Sequence, residues 1–394
     1  MEKRIDNIRR RTWAEIDLDN ARKNFFAVRE AVPASAKVCC VIKANAYGHN
    51  AVTLGALYEE LGADFLAVSN IEEALQLRRH GIGLPILILG YTDEGCAGLL
   101  AENNISQCVY SYEYAKALSK SAKACGARIK IHLKLDTGMG RIGFLCRGGE
   151  SELDRALEVC RDESFVTEGI FTHFPVADEG EDGRDFTAEQ FKAFCDAVEY
   201  LEKNGIKFDI RHCSNSAAAA AYPEYALDMV RAGLVLYGMC PSEKVSLEGL
   251  RPVMSVHSVI SHIKTVFPGE SVSYGCEYVA EREMTVATVP IGYADGFWRS
   301  NYKAPYSLLV NRKSAPIVGR VCMDQLMLDV TGIECSVGDR VTVFGSTEGN
   351  TAGDIARLNG TINYEVLCSV GERVPRAIVQ NGEIIGWKDP IFDE

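Results

Sequence analysis

The feature that most constrains the fold is a repeated alternation of short apolar runs and helix-like stretches, from about residue 37 to residue 240. Apolar strands that alternate with helices are typical of a parallel sheet covered on both faces. About eight such units in roughly 200 residues favour a (β/α)8 barrel over an open sheet. The apolar runs are Val38–Ile42, Phe65–Val68, Pro85–Leu89, Ile129–Leu135, Thr167–Phe171 and Met229–Leu236. The helix-like stretches include Ile71–His80, Tyr112–Ala124, Glu152–Arg161 and Glu189–Asn204.

After about residue 245 the pattern changes to short β-rich runs separated by Gly and Pro turns, with little helical periodicity. These runs include Thr285–Pro290, Ser307–Val310, Val318–Met323 and Arg340–Phe344. The sequence therefore predicts an α/β fold with a TIM-like (β/α)8 barrel over residues 12–245 and a mainly antiparallel β-domain over residues 246–394. Alternation over residues 13–18 predicts a strand that could pair with either domain, and Asp19 is placed to cap the helix after it.

Composition excludes several classes of protein. The chain has 394 residues, and no apolar run approaches the roughly 20 residues of a membrane-spanning helix. The N-terminal segment MEKRIDNIRRRTW is charged and has no apolar segment behind it, so we expect neither a secretory signal nor a membrane partner. The net charge of -12 disfavours nucleic acid as a partner, and we interpret Arg9, Arg10 and Arg11 as a solvated triplet.

The 14 cysteines include no C-x-x-C pair, and several lie inside apolar runs, where a thiol behaves as a small apolar group. We therefore expect no metal site. Without a secretory signal, many free thiols predict a reducing cytoplasm, with disulfides as the less favoured alternative.

The segment VIKANAYGH places Lys43 directly after an apolar strand. In a barrel this is the C-terminal rim, where active sites are built. A lysine flanked there by apolar residues can lose its proton and act as a nucleophile. The alternative is a lysine whose stem merely lies along the strand end, and spacing alone favours that alternative.

Further motifs favour the functional role of Lys43 over this alternative. The whole lysine segment resembles that of the alanine racemase family, pyridoxal-phosphate enzymes built from a barrel and a β-domain. Other matching segments are KLDTGMGRIGF, THFPVAD, NSAAA, VRAGLVLYG, VSYGCEY, IGYADG, GRVCMDQ and TINYEVLC, and together they span roughly residues 12 to 376. The resemblance implies the same fold, the same cofactor and an amino-acid substrate.

Racemisation requires two proton transfers at Cα, from opposite faces, and so needs two bases. By resemblance, Lys43 holds the cofactor and serves one face, and Tyr274 serves the other. A phenol has an ordinary pKa of about 10, so nearby polar or cationic groups must stabilise its ionised form. The family places a histidine and an arginine there, which correspond to His173 and Arg231. Since Tyr274 lies in the second domain, the resemblance implies a homodimer with shared active sites.

The resemblance also assigns the cofactor contacts. Arg231 would donate to the pyridine nitrogen; since arginine can only donate, that nitrogen would stay unprotonated and side reactions would be suppressed. An ion pair with Asp228 is the structural alternative. The phosphate would be held by the groups at Tyr47, Asn215, Ser216, Gly233, Leu234 and Tyr364. Asn215 and Ser216 precede the run Ala217–Ala221, a good helix start, so Ser216 also fits an ordinary cap.

The remaining family positions concern the substrate. Arg141 would contact the cofactor and the substrate carboxylate. Lys134 would be carbamylated and pair with Arg141, and the backbone N–H of Met323 would receive the carboxylate. Asp324 would support that segment, whereas Tyr293 and Asp178 would line the entrance.

Tyr364 would narrow the pocket to a methyl side chain, so we expect racemisation of L-alanine to D-alanine, which the family implies for peptidoglycan precursors. Discrimination against serine by shape is modest, roughly 100-fold at best, so a serine/alanine racemase is one alternative. A decarboxylase of the same architecture is another, although Arg231 replaces its glutamate. A barrel-only pyridoxal-phosphate carrier and a non-catalytic regulator are disfavoured by Tyr274 and Lys43. The histidines given no role are His49, His132, His212, His257 and His262.

Overall fold

The structure is a computed structural model that describes residues 11–147, 151–303, 305–389 and 391. The described residues divide into two units, which we call the barrel unit and the β unit. The barrel unit comprises Ala21–Ala46 and Ala51–Leu250, and the β unit comprises the described parts of Met1–Asn20, Tyr47–Asn50 and Arg251–Glu394.

The first part of the chain alternates strands and helices. The strands are β1 (Thr12–Asp17), β2 (Lys37–Val41), β3 (Phe65–Val68), β4 (Ile86–Ile88), β5 (Ile105–Val109), β6 (Ile129–Asp136), β7 (Phe144–Leu145), β8 (Phe165–Phe171), β9 (Ile210–His212) and β10 (Met229–Ala232). The helices are α1 (Leu18–Ala31), α2 (Ala51–Glu60), α3 (Ile71–Arg79), α4 (Ala97–Glu102), α5 (Tyr112–Cys125), α6 (Leu153–Cys160), α7 (Glu181–Lys203) and α8 (Ser216–Ala221).

The barrel unit is built on a parallel sheet in the order β10-β2-β3-β4-β5-β6-β8-β9, with the short β7 beside β6. Two backbone hydrogen bonds bring its ends together, from Asp228 N to Arg211 O (3.0 Å) and from Arg231 N to Ser214 O (3.0 Å). Strands such as β3 are buried at every position because helices cover the outer face and side chains fill the interior. The predicted (β/α)8 barrel is confirmed.

Local chemistry explains where several helices begin and end. The side chain of Asn70 accepts a hydrogen bond from Glu73 N at the start of α3, and Ser111 does the same for Tyr114 N at the start of α5. Gly126 ends α5 with φ 68°, a left-handed conformation that costs glycine little.

The β unit contains the remaining elements. They are β11 (Met254–Val259), β12 (His262–Val266), β13 (Ser271–Val272), β14 (Tyr278–Val279), β15 (Met284–Val289), β16 (Ser307–Val310), β17 (Lys313–Pro316), β18 (Leu326–Asp329), β19 (Arg340–Phe344), α9 (Ala352–Leu358), α10 (Asn363–Cys368), β20 (Arg376–Gln380) and β21 (Glu383–Lys388). One sheet has the order β17-β16-β19-β11-β1-β20-β21, and the smaller sheets are β12-β15-β18 and β13-β14. All pairs are antiparallel except β1 with β20, so the predicted antiparallel domain is confirmed.

The N-terminal strand belongs to the β unit. Strand β1 pairs with β11 and with β20, which answers the question of which domain it joins. The prediction that Asp19 caps the following helix is wrong. Asp17 accepts the hydrogen bond from Asn20 N (2.9 Å), and Asp19 instead accepts from Asn381 N (2.6 Å).

Three other predicted elements differ from the structure by more than small shifts of their ends. The run Met229–Leu236 is a strand only to Ala232, after which the chain turns into a 3-10 helix at Leu234–Tyr237. Helix α7 begins at Glu181, eight positions before the predicted start, because its first two turns are polar and hide the apolar periodicity. The predicted strand Val318–Met323 is wrong, since the chain there makes turns and Gly319 has φ 74°.

Within residues 11–147, 151–303, 305–389 and 391, no helix combines the length and the apolar character that crossing a membrane requires. Arg9 and Arg10 of the N-terminal triplet lie outside the described residues. The interpretation of a solvated triplet is wrong for Arg11, which pairs with the buried Asp295 (2.6 Å).

Candidate active site

The predicted site residues of the barrel unit gather at one edge of its sheet. The carboxyl ends of parallel strands meet at the same rim, so residues that follow different strands can converge there. Lys43 follows β2, Arg141 follows β6, His173 and Asp178 follow β8, Asn215 and Ser216 follow β9, and Gly233 and Leu234 follow β10.

The chain takes an unusual path directly after Lys43. Residues 44–47 all have φ between 52° and 55°, a left-handed turn without any glycine. Each such residue costs about 1–2 kcal/mol, and strain of this kind clusters at functional sites. Hydrogen bonds hold the turn: Ala44 N donates to Glu73 Oε1 (2.6 Å), and Ala51 N donates to Asn45 Oδ1 (2.8 Å). The turn is thus locally strained, and the two hydrogen bonds fix the backbone beside Lys43.

Arg231 is buried inside the barrel, and both terminal nitrogens of its guanidinium donate hydrogen bonds. It donates to His212 Nδ1 (2.9 Å), Thr172 O (2.9 Å), Cys213 O (3.0 Å) and His173 Nδ1 (3.3 Å). Burial lowers the pKa of Arg231 to about 10, so it remains a cation at neutral pH. The structural alternative, an ion pair with Asp228, is wrong, because Asp228 is paired with Arg211 instead.

His173 lies where several positive charges meet. Its pKa is lowered well below the ordinary value, first by burial and then by Arg231, Lys134, Arg141 and Lys43. The imidazole is therefore neutral at neutral pH, and its Nδ1 accepts from Arg231. Positive charge around a neutral histidine suits an anionic ligand.

Lys134 is buried on β6, and its ammonium donates to Leu135 O (2.6 Å). Burial lowers its pKa to about 8; the charges of Arg231 and Arg141 act in the same direction, while Cys108 and Asp136 oppose them. A large fraction of this amine is thus neutral in mildly alkaline solution.

The loops after β9 and β10 are joined by a hydrogen bond from Gly233 N to Ser216 Oγ (2.9 Å). The helix cap is Asn215, whose side chain accepts from Ala218 N (3.0 Å), so the alternative of Ser216 as the cap is wrong. Because a hydroxyl can accept and donate together, Ser216 can still donate to an anion at this position. Asp178, five residues after His173, is half-buried, and its backbone carbonyl accepts a hydrogen bond from Ser242 Oγ.

The β unit holds the other predicted residues. Tyr47 is buried, and its ring lies 5.7 Å from that of Tyr364, centre to centre. Burial raises the pKa of Tyr47, with Tyr364 and Cys368 adding to the effect, so its phenol remains protonated and can donate. The two rings thus form one cluster within the β unit.

Tyr274 stands at the tip of a strained turn and is 67% exposed in the single chain. Ser273 has φ 70° and Gly275 has φ 76°. The Ser273 hydroxyl donates to Arg320 O (2.6 Å), and Arg320 forms an ion pair with Glu277. These contacts fix the residues on either side of Tyr274.

Met323 lies in a segment fastened to the turn that contains Tyr293. Tyr293 N donates to Cys322 O (3.1 Å) and Ala294 N donates to Met323 O (3.0 Å). A Cβ at Gly292 would come within 2.2 Å of Cys322 O, so this close approach requires glycine. Met323 is 53% exposed and Tyr293 is 41% exposed.

Sequence reasoning missed Asp295, which anchors this region. Its fully buried carboxylate accepts from Arg11 (2.6 Å), Arg373 (2.8 Å) and Gly292 N (3.0 Å). Arg373 also pairs with Asp324 (2.6 Å), which connects Asp324 to the same network. The motif IGYADG was noticed, but a buried aspartate leaves no mark in the sequence that distinguishes it from an exposed one.

Among the described residues, no group of three or more His, Cys, Asp or Glu side chains is arranged to hold a metal ion.

Comparison with known proteins places both units in one family. The sequence profile of the alanine racemase N-terminal domain matches residues 16–241, and that of the C-terminal domain matches residues 253–378. Alanine racemase 1 of Clostridium acetobutylicum is 42% identical over 381 residues, which is 95% of this chain and 97% of that protein. Alanine racemase of Desulforamulus reducens is 44% identical over 370 residues, 93% of this chain and 98% of that protein.

Solved structures agree with the sequence profiles. Alanine racemase of Clostridium difficile 630 superposes with a TM-score of 0.92 at 42% identity, over 98% of this chain and 100% of that one. The enzyme of Bacillus anthracis with bound L-Ala-P gives a TM-score of 0.91 at 35% identity, also over 98% and 100% of the two chains. The chain therefore belongs to the alanine racemase family.

Proposed function

We propose that this chain interconverts L-alanine and D-alanine with pyridoxal phosphate as its cofactor. Given the family, the observation that carries the proposal is the buried guanidinium of Arg231, which donates to His173 Nδ1 (3.3 Å) at the rim that also carries Lys43. A fixed cation beside a lysine suits a cofactor and a substrate that both carry negative charge. A lysine directly after a barrel strand supplies the amine that the chemistry requires.

The residues present fit pyridoxal phosphate. Its ring nitrogen requires a donor in a protein that keeps it unprotonated, and Arg231 is a buried, charged group that can only donate. Its phosphate requires several donors, which the hydroxyls of Tyr47, Ser216 and Tyr364 and the backbone around Asn215, Gly233 and Leu234 would supply. When bound, the cofactor withdraws electrons from the bonds to Cα of the substrate.

We assign the two proton transfers to Lys43 and Tyr274, on opposite faces of Cα. The amine of Lys43 takes or returns the proton on one face, and the phenol of Tyr274 does so on the other. The neutral His173 and the charged Arg231 would stabilise the ionised phenol. Since Arg231 can only donate, it would leave the ring nitrogen unprotonated and so disfavour side reactions.

The substrate carboxylate is assigned to Arg141 and to the backbone N–H of Met323. The carboxylate of a carbamylated Lys134 would hold Arg141 in place, whereas an unmodified ammonium would repel it. Asp324 supports the Met323 segment through Arg373. Tyr293 and Asp178 line the entrance in this proposal.

A homodimer with shared active sites completes the proposal. The large exposure of Tyr274 and Met323 in the single chain supports it, because catalytic groups of this kind work in a water-poor site. The 14 cysteines are all free thiols, which supports the reducing cytoplasm as the compartment. By family, the D-alanine would serve peptidoglycan synthesis.

The experiment is chiral chromatography of L-alanine and, separately, L-serine after incubation with purified protein and pyridoxal phosphate. We expect rapid formation of D-alanine, slower formation of D-serine because Tyr364 narrows the pocket, and no turnover by Lys43→Ala. Faster turnover of serine would overturn the assignment of Tyr364. Carbon dioxide release from lysine without racemisation of alanine would instead favour the decarboxylase.

A further inference from the structure

Four polar side chains form a continuous line of hydrogen bonds inside the barrel. Arg231 Nη1 lies 2.9 Å from His212 Nδ1, and His212 Nε2 lies 2.8 Å from His132 Nδ1. His132 Nε2 lies 3.1 Å from Glu168 Oε2, which also accepts from Ser106 Oγ. Both histidines are fully buried, so the middle of this line is shielded from water.

The chemistry of the end groups sets the direction of every bond. A guanidinium can only donate, so His212 Nδ1 must accept. A neutral His212 then carries its hydrogen on Nε2 and donates it to His132 Nδ1. His132 in turn carries its hydrogen on Nε2 and donates to Glu168. Each histidine is thus a single tautomer, and neither can be an imidazolium without breaking a bond in the line.

The backbone makes room for this line. Gly169 on β8 is paired with His132 on β6, and a Cβ at Gly169 would lie 2.4 Å from His132 Nδ1. The register between β6 and β8 also shifts between Ile131 and His132. The strand residue opposite His132 must therefore lack a side chain, because a Cβ there would collide with the imidazole.

The protonation states agree with this direction. Burial lowers the pKa of both His132 and His212, and Arg231 adds to the effect at each. Burial would raise the pKa of Glu168, but hydrogen bonds from His132 and Ser106 outweigh it and bring the pKa to about 2. Glu168 is therefore a carboxylate, its outer oxygen 3.3 Å from Lys130 Nζ.

We propose that Glu168 and His132, acting through His212, are positioning residues that keep Arg231 a fixed donor toward the cofactor ring. The line transfers no proton to the ring, because its last member stays a cation. The role of the line is to keep His212 Nδ1 a hydrogen-bond acceptor, which fixes the orientation of the Arg231 guanidinium. This inference rests on the proposed contact between Arg231 and the ring nitrogen.

The first test needs neither a variant nor activity. Nitrogen NMR of the cofactor-free protein with labelled histidine should show two buried histidines as the pure Nε2–H tautomer, unchanged from pH 8 to pH 5.5. A mixture of tautomers at either residue, or titration near pH 6.5, would overturn the proposal. Single substitutions of His132 and His212 assign the signals.

The second test is Glu168→Gln, with Glu158→Gln as its matched control. A glutamine amide both donates and accepts, so its N–H can compete with the His132 Nε2–H, whereas the carboxylate can only accept. We expect the Nδ1–H tautomer to appear at His132, the visible absorption of bound pyridoxal phosphate to shift, and kcat/KM for alanine to fall roughly tenfold, as for outer partners of metal ligands. Glu158 pairs with Lys116 at the surface, and its substitution should change none of these.

The outcomes separate the two proposals. Correct tautomers and a shifted absorption in a protein that does not racemise alanine would contradict the function and leave the line of positioning residues standing. Racemisation with an unchanged histidine spectrum and unchanged absorption in Glu168→Gln would contradict the positioning role alone. A Glu168→Gln variant with a lower melting temperature and no spectral change would show that Glu168 is merely structural.

Discussion

Lys134 shows how burial can prepare a lysine for a reaction. With a pKa of about 8, roughly half of its amine is neutral at pH 8, whereas a lysine at 10.5 is less than about 1% neutral. The neutral amine can attack carbon dioxide, forming an N–C bond and releasing a proton. The product is an anion, which removes the repulsion between an ammonium and Arg141. The same burial that destabilises the charged lysine therefore favours its modification.

We predict a carbamate carbon signal in the carbon NMR spectrum of the protein equilibrated with labelled bicarbonate at pH 8. The signal should be absent in Lys134→Met. It should persist in Lys130→Met, because Lys130 lies on the same strand but is partly exposed. Electron density that ends at Nζ of Lys134 in a crystal grown at pH 8 would contradict the prediction.

The site residues differ in how far the sequence alone could reveal them. Lys43 and Tyr274 lie in motifs that the family resemblance assigns directly. The line from Glu168 to Arg231 went unassigned because each histidine, taken singly, is more often structural than functional. A signal was present: Lys130, His132 and Lys134 alternate with apolar residues along β6, which places three basic groups on one face of a buried strand.

At the scale of elements, the turn after β2 stores strain beside Lys43. Left-handed conformations are costly for alanine, asparagine and tyrosine, and residues 44–47 adopt four in succession. No preference of these residue types predicts this turn, so tertiary contacts such as that of Glu73 with Ala44 N must impose it. We infer that the strain serves to fix the direction in which the chain leaves the lysine.

We predict that Ala44→Gly raises the free energy of unfolding by about 1 kcal/mol, since glycine adopts a positive φ without steric cost. The matched control is Ala124→Gly, an exposed alanine in α5, which should lower it by about 0.5–1 kcal/mol. Urea denaturation followed by circular dichroism measures both. A loss of stability in Ala44→Gly similar to that of the control would show that the turn is not strained.

Element bounds could be predicted where an apolar run ended at a turn. Strands β3, β16 and β19 begin and end at the predicted residues because Ser, Asn or Gly follows each of them and Asp precedes β3 and β19. The start of α7 was missed because its first turns are polar, and Val318–Met323 failed because Gly319 needs a positive φ that an apolar pattern does not reveal. The pattern of apolar and polar residues predicts which positions are buried, whereas the direction of the backbone depends on single residues such as Gly319.

At the scale of the whole molecule, the proposed bases belong to different units. Lys43 lies in the barrel unit and Tyr274 in the β unit. The two units match the N-terminal and C-terminal domains of the same family, so the proposed pair of bases draws on both matched domains. If the active site is shared between two copies, each site takes its lysine from one chain and its tyrosine from the other.

The most direct measurement of the central claim mixes two inactive variants, Lys43→Ala and Tyr274→Phe, under conditions where subunits exchange. Random pairing makes half of the dimers hybrids, each with one intact site, so activity should return to about one quarter of that of the unmodified protein. Native mass spectrometry confirms that the hybrids form, and each variant alone serves as the control. Recovery of alanine racemisation to this level would establish that both residues act in one shared site. Hybrids that form but stay as inactive as their parents would contradict it.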